Sequence, residues 1–205
     1  MRRAHNQIND PREITRVLDS TTIGRLATID ADGFPYITPV NFVFLNGRAY
    51  FHAALKGEKL DNIARDPKVG FEVDHPLAYI ELAFGGGNSP CDMHQFYRSV
   101  VIRGRARILP DGEAKTAALN ALIAKHEGPG HPLTSPELPD YKACVVVEIT
   151  PETMTGKADL GQNKTPEKRR ALAEKLLARG LEGDIEAVRA MGFDIESTAN
   201  GWRIV

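Results

Sequence analysis

The stretch "FPYITPVNFVFLNGRAYFHAA", Phe34 to Ala54, limits the fold more than any other part of the chain. Asn46-Gly47 lies between two apolar runs. A tight I′ turn needs positive φ at both central residues, and Asn-Gly meets that need best. An antiparallel hairpin is therefore expected. On its first arm Tyr36, Val40, Phe42 and Phe44 occupy even positions and Ile37, Val43 and Leu45 odd ones. Both faces are apolar, so this strand is expected to be covered on both sides. Pro35 and Pro39 mark strand ends, an edge or a bulge, because proline cannot donate to the ladder.

The same reading extends along the chain. Asp10-Pro11 with Glu13 starts a helix whose apolar face is Ile14, Val17 and Leu18. "TIGRLATI" reads as a strand ended by the turn "DADG". In "GEKLDNIARDP" Leu60, Ile63 and Ala64 share a helical face, and Pro67 stops the helix. "KVGFEVD" and "LAYIELAF" read as strands, and "GGGNSP" as a mobile loop near a pocket mouth. In "YRSVVIRGRARIL" Val100, Ile102, Ala106 and Ile108 point one way and Arg103, Arg105 and Arg107 the other. A helix over "DGEAKTAALNALIAKHE", a proline-rich loop and the strand "KACVVVEIT" follow. Beyond Pro151, Thr165 caps a helix with Pro166 at its first position and Gly180 at its stop. A shorter helix carries Leu181, Ile185 and Val188, and "FDIESTANGWRIV" reads as a strand or hairpin. Short strands joined by hairpin turns favour a barrel or sandwich of six or seven antiparallel strands, with inserted helices and a helical appendage.

Composition narrows the function classes. Basic and acidic side chains number 26 and 27, for a net charge of -1, so no global field draws the chain to nucleic acid or an anionic membrane. Apolar runs fall far short of the ~20 residues that span a bilayer. "MRRAHNQIND" has no apolar stretch behind its basic pair and is not expected to be a secretory signal. Two cysteines, Cys91 and Cys144, make no disulfide scaffold and fit a reducing cytoplasm.

The chemistry concentrates at "YFHAALKGEKLDN". A helix N-terminus offers open N–H groups and a positive dipole end. Lys56 and Lys59 flank it, and Gly57 lets the backbone come close, which makes a phosphate cradle. The bland alternative is a solvated surface turn. His52 shares a strand face with Tyr50 and reads either as a packing residue or as a ligand contact. Cys91 and His94 have C-x-x-H spacing, but the set is too small for zinc. His126 and His131 flank a Gly/Pro loop and read as solvated. "GGGNSP" lacks the G-x-G-x-x-G spacing of a dinucleotide fingerprint.

Three separated segments, "GRLATIDADGFPYITPVNFVF", "AYFHAALKGEKLDNIARDPKVGFEV" and "YRSVVIRGRARIL", together resemble the pyridoxamine 5′-phosphate oxidase-like superfamily of flavin-binding split barrels. The resemblance covers residues 10 to 150 and is nearest to the nitroimidazole-reductase-like branch. It implies a mainly β, six-stranded split β-barrel with inserted helices over residues 1–155. Residues 156–205 would be a C-terminal helical extension packed on the barrel or the dimer. It also implies a homodimer with FMN at the interface. Pro39, Val40 and Asn41 would run beside the isoalloxazine, and Phe51, His52 and Ala53 would lie near the ring and ribityl chain. Lys56 and Lys59 would hold the phosphate. Tyr97, Arg98, Ser99 and Val100 would lie near the phosphate or across the interface.

The activity so implied is that of a cytoplasmic, FMN-dependent, nitroreductase-like oxidoreductase. It would move electrons between a reduced nicotinamide and a small organic acceptor, with His52 delivering a proton or orienting substrate. "GWRIV" does not match the Arg-rich C-terminal motif of vitamin B6 oxidases, which argues against that activity. Two alternatives stay open. One is a flavin- or haem-binding regulatory module with His52 or His94 as haem ligand; the other is an F420-dependent reductase. "TGKADLGQNKTPEKRR" resembles the tail of relatives regarded as transcriptional regulators. Glu167, Glu174, Glu182, Asp184 and Glu186 interleave its cations, so it reads as a solvated helix face and not as a nucleic-acid patch.

Overall fold

The computed structural model describes residues 4–85, 93–199 and 201–205. The expected hairpin forms: β4 (Val43–Leu45) pairs with β5 (Arg48–Ala54), and Asn46 and Gly47 take φ of 50° and 78°. The strand before it differs from expectation. β3 (Pro35–Asn41) is separated from β4 by Phe42 alone, yet the two lie at opposite ends of the sheet. With β2 (Ile23–Ile29), β6 (Lys68–Ile80), β7 (His94–Ile108) and β8 (Cys144–Asp159), the order is β3-β2-β6-β7-β8-β5-β4. The chain running through Phe42 therefore joins the two ends of the order, which is what makes the sheet a split barrel. β1 (Gln7–Ile8) adds to β8, bringing the sheet to eight strands against the six expected.

The chain divides into two compact units. The barrel unit comprises residues 10–73 and 100–155. Its inward side chains include Leu26, Phe42, Phe51, Phe71, Ile102, Val147 and Ile149, all buried. Phe42 meets Phe71 edge to face at 5.0 Å. Phe71 also explains Gly24, because a Cβ there would stand 2.0 Å from its ring. α1 (Pro11–Ser20) is capped by the Asp10 carboxylate, which accepts from Arg12 N at 2.8 Å. α4 (Glu113–His126) covers the outer face of β4 and β5, packing Ala118 and Leu122 with Val43, Tyr50, Leu109 and Val146. Covering on both faces thus holds for β4 and β5. It fails for β3, whose odd face of Pro35, Ile37, Pro39 and Asn41 is exposed. Ile108 is also exposed, contrary to its parity: Leu109 takes the buried place, and its N–H donates to the Val146 carbonyl at 2.8 Å.

The second unit comprises residues up to Asn9, Asp74–Ser99 and Gly156–Val205. α3 (Leu82–Gly85) follows β6, so the expected strand "LAYIELAF" ends at Ile80. α6 (Pro166–Arg179) starts at the Thr165 cap and stops at Gly180, which is left-handed with φ 69°. α7 (Glu182–Ala190) and the hairpin of β9 (Ile195–Thr198) and β10 (Gly201–Ile204) complete it. Leu77, Ile80, Phe96, Leu172, Leu176 and Val188 form its core. Gly183 permits close approach, since a Cβ would lie 2.1 Å from the Leu77 carbonyl oxygen. Most of the "GGGNSP" loop and Cys91 lie outside the described residues. No helix among the described residues is long and apolar enough to cross a membrane.

Candidate functional site

β5 alternates strictly enough to sort its own residues. Phe51 and Ala53 point into the barrel, at 0% and 7% exposure, while His52 between them is exposed on the outside. Past Ala54 the chain turns at Gly57, whose φ of 148° a side chain rarely adopts, and α2 (Glu58–Arg65) begins. No side chain caps this helix, so its first amides face outward unsatisfied by the usual Ser, Thr or Asp oxygen. Lys56 and Lys59 stand on either side, and neither pairs with a carboxylate among the described residues. α2 is fixed from below. Leu60 and Ile63 are buried, and Asn62 Nδ2 donates to Thr28 Oγ1 at 3.0 Å, both residues being 2% exposed. Asn62 takes the buried place that the apolar pattern gave to Ala64, which is exposed. Arg65 extends the tie by donating to Asn62 Oδ1 and to the Ile29 carbonyl.

A cavity of about 280 Å³ opens beside the same strand, lined by Asn41 and His52 from the barrel and by α4. The remaining lining comes from Thr134, α5 (Pro139–Lys142) and Cys144. His126 lies here, half-buried with Nε2 3.0 Å from the Phe42 carbonyl oxygen, and not solvated as its loop setting suggested. Its partner is 84 residues away, so no local pattern announces it. Tyr141, also missed, is 1% exposed. Its hydroxyl accepts from Gly112 N and donates to Gly112 O, each at 3.0 Å, which leaves its ring as the wall.

Two residues before His52 the same outer face carries an ion cluster. Glu148, 3% exposed, accepts from Arg107 Nε at 2.7 Å and from Tyr50 Oη at 3.1 Å, with Arg48 at 3.8 Å. Burial pushes the Glu148 carboxyl up, but the Arg107 and Tyr50 hydrogen bonds and both guanidiniums bring it below its ordinary value. Burial, ahead of its bond to Glu148, raises the Tyr50 phenol, although Arg48 opposes it. The cluster is internally matched and fixes β5 against β7 and β8.

Among the residues expected at a cofactor, Asn41 and His52 line one cavity, Pro39 and Val40 precede Asn41 on β3, and Lys56 and Lys59 flank the start of α2 beyond β5. Phe51, Ala53 and Val100 have side chains turned into the core, so only their backbones remain available. Tyr97, Arg98 and Ser99 belong to the other unit and are half-buried there, with Lys157 Nζ 5.0 Å above the Tyr97 ring. His94 is in that unit too, its ring 5.2 Å from Phe96.

This topology defines a split-barrel fold. The chain belongs to the pyridoxamine 5′-phosphate oxidase family, whose model matches residues 10–158. A 5a,11a-dehydrotetracycline/5a,11a-dehydrooxytetracycline reductase of Streptomyces rimosus is 32% identical over 105 residues, which is 49% of this chain and 64% of that one. The match thus spans less than two thirds of that relative's length. A candidate 5-nitroimidazole antibiotic resistance protein of Bacteroides thetaiotaomicron shares the fold at TM-score 0.62 and 22% identity, over 74% of this chain and 85% of that one. An FAD- and haem-binding protein of Mycobacterium smegmatis does so at TM-score 0.66 and 16% identity, over 86% and 80%.

Proposed function

We propose that this protein is a flavin-dependent oxidoreductase that holds FMN on the outside of its barrel. The observation that carries the reading is the corner at Lys56–Lys59: an uncapped helix start, a glycine and two cations that form no ion pair among the described residues, although Glu58 and Asp61 share the first turn. A dianionic phosphate supplies what that corner lacks. The donor set therefore fits the phosphate end, and the exposed edge of Pro39–Asn41 with His52 fits a flat ring that needs few polar contacts. Bound there, a flavin supplies two-electron acceptance and donation between a reduced nicotinamide and a small organic acceptor. The chain's residues do the rest. Lys56 and Lys59 neutralise the phosphate, β3 walls the ring, and His52, exposed at its edge, delivers a proton to the reduced acceptor. The reductase activity of the Streptomyces rimosus relative supports this reading. The bare apolar face around Ile37, with Ile23, Ile29 and Phe34 also exposed, supports a homodimer closing over the cofactor.

The test is steady-state oxidation of NADH or NADPH by FMN-loaded protein with a nitroaromatic acceptor. Turnover above the free-flavin rate is expected, and His52→Ala is expected to lower it ten- to a hundredfold while FMN stays bound. Full turnover in His52→Ala would remove the proton role; no turnover in the parent would leave a binding module. The haem-binding form of that alternative draws on the Mycobacterium smegmatis likeness and predicts a Soret band, absent if FMN is the cofactor.

A further inference from the structure

The geometry points to a ligand class for the cavity beside His52: a small planar aromatic molecule that is neutral or positively charged, with anionic molecules rejected. This rests on the flavin reading only in making such a molecule the electron acceptor; its binding does not depend on that reading.

The walls decide the shape. Leu119, Leu122 and Ile123 of α4, together with Tyr141, line a space of about 280 Å³. That lies just under the ~300 Å³ at which drug-sized pockets begin, so one or two rings fit. Aromatic surface entering such walls gains both burial and ring contacts. The Tyr141 hydroxyl is engaged with Gly112 and offers the ligand nothing polar. The walls are also built in advance. Asn120 Oδ1 accepts from Thr134 N at 2.8 Å, which holds the proline-rich loop to α4.

The charges decide the sign. Glu127 and Asp140, both exposed, line the cavity, and no lysine or arginine among the described residues does. The two nearby lysines on α4 are occupied. Lys115 Nζ donates to Asp111 Oδ1 at 2.9 Å and to the Cys144 carbonyl at 2.8 Å. Lys125 Nζ donates to the Leu18 carbonyl at 2.9 Å and lies 3.9 Å from the Phe42 ring centre. The other polar side chains on the lining are Asn41, His52, His126, Thr134 and Cys144. A carbonyl can only accept, so His126 Nε2 donates to Phe42 O, and in the neutral ring Nδ1 is then an acceptor. Lys115 Nζ does lie 4.4 Å from the centre of the Tyr141 ring, but Asp111 and the Cys144 carbonyl already hold it. An anion would therefore lose its water beside two carboxylates with no unpaired cation on the described lining to replace it, whereas a neutral or cationic ring meets acceptors and negative charge.

Three probes of one shape test this: benzamidine, benzamide and benzoate, titrated by calorimetry into protein with and without FMN. Benzamidine and benzamide are expected to bind, with benzoate at least tenfold weaker than either. Glu127→Gln with Asp140→Asn should narrow the benzamidine-to-benzoate ratio several-fold, and both substitutions lie on the surface. Ile123→Trp should fill the space and abolish probe binding while FMN uptake is unchanged. Benzoate binding as tightly as benzamide, or a ratio unmoved by the double variant, would overturn the inference. So would competition between FMN and benzamide, which would assign the cavity to the flavin ring and leave the cofactor reading intact. Charge discrimination in a protein that takes up no flavin would support the ligand class while defeating the proposed function.

Discussion

Two cationic corners of this protein are built in opposite ways. At the first, Arg179 at the end of α6 is fully matched. Its Nε donates to Asp184 Oδ2 at 2.8 Å, its Nη1 to Glu81 Oε1 at 2.8 Å and its Nη2 to the Tyr79 carbonyl at 3.0 Å, with the Phe84 ring at 4.7 Å. Asp184 is 1% exposed and also accepts from Leu181 N at 3.0 Å. At the second, Lys56 and Lys59 flank an uncapped helix start and have no carboxylate partner among the described residues. The difference separates two uses of charge. A cation supplied with its own anions ties elements together, whereas cations held beside open amides are left to meet an anion from outside.

Breaking the matched corner should give the largest effect. Arg179→Ala leaves the buried Asp184 carboxylate with the Leu181 N–H but no cation, and is expected to cost about 3–5 kcal/mol in urea denaturation. A loss within about 1 kcal/mol, the worth of an exposed pair, would show that the two corners are not different in kind. Next comes Gly57→Ala. No atom lies within 4 Å of the added Cβ, so the cost is the backbone conformation alone, about 1–3 kcal/mol in the same assay. FMN affinity should fall with it as the amides shift.

Lys125 stands between the two cases and should give the most gradual effect. Burial lowers its ammonium from 10.5 to about 8, with Asp19 pulling the other way. Between those values the unfolded chain binds more protons than the folded one, so folded stability rises with pH there. Below about 8 both states are charged and the burial penalty is at full size. Relative to Lys125→Met, the parent should therefore gain stability from pH 8 upward and level off near 10.5. A flat difference would place the ammonium in water.

Much of this was legible in the sequence, and the exceptions share a cause. Asn46-Gly47, the Thr165 and Asp10 caps, Gly180 and the exposed arginines of β7 are local signals, and each falls where it was expected. The break at Phe42 was not legible. Phe42 is one apolar residue among many, and it divides two arms only because the barrel closes there. The odd face of β3 shows the same limit: its apolar residues resemble those of β4, but α4 packs mainly on β4 and β5 and leaves that face exposed. At the candidate site, His52 and the lysines could be singled out from strand parity and turn chemistry, and Asn41 only through the family resemblance. His126, Tyr141 and Asn62 could not, because their partners are Phe42, Gly112 and Thr28, set beside them by tertiary folding.

The comparison of FMN with riboflavin, which lacks only the phosphate, tests the central claim most directly. Equilibrium dialysis of both against the parent and Lys56→Ala/Lys59→Ala isolates the phosphate contribution. The parent should bind FMN about a hundredfold or more tighter than riboflavin, as two charge-assisted contacts require, and the double variant should lose most of that preference. Equal affinities in the parent, or a preference that survives the double substitution, would contradict it.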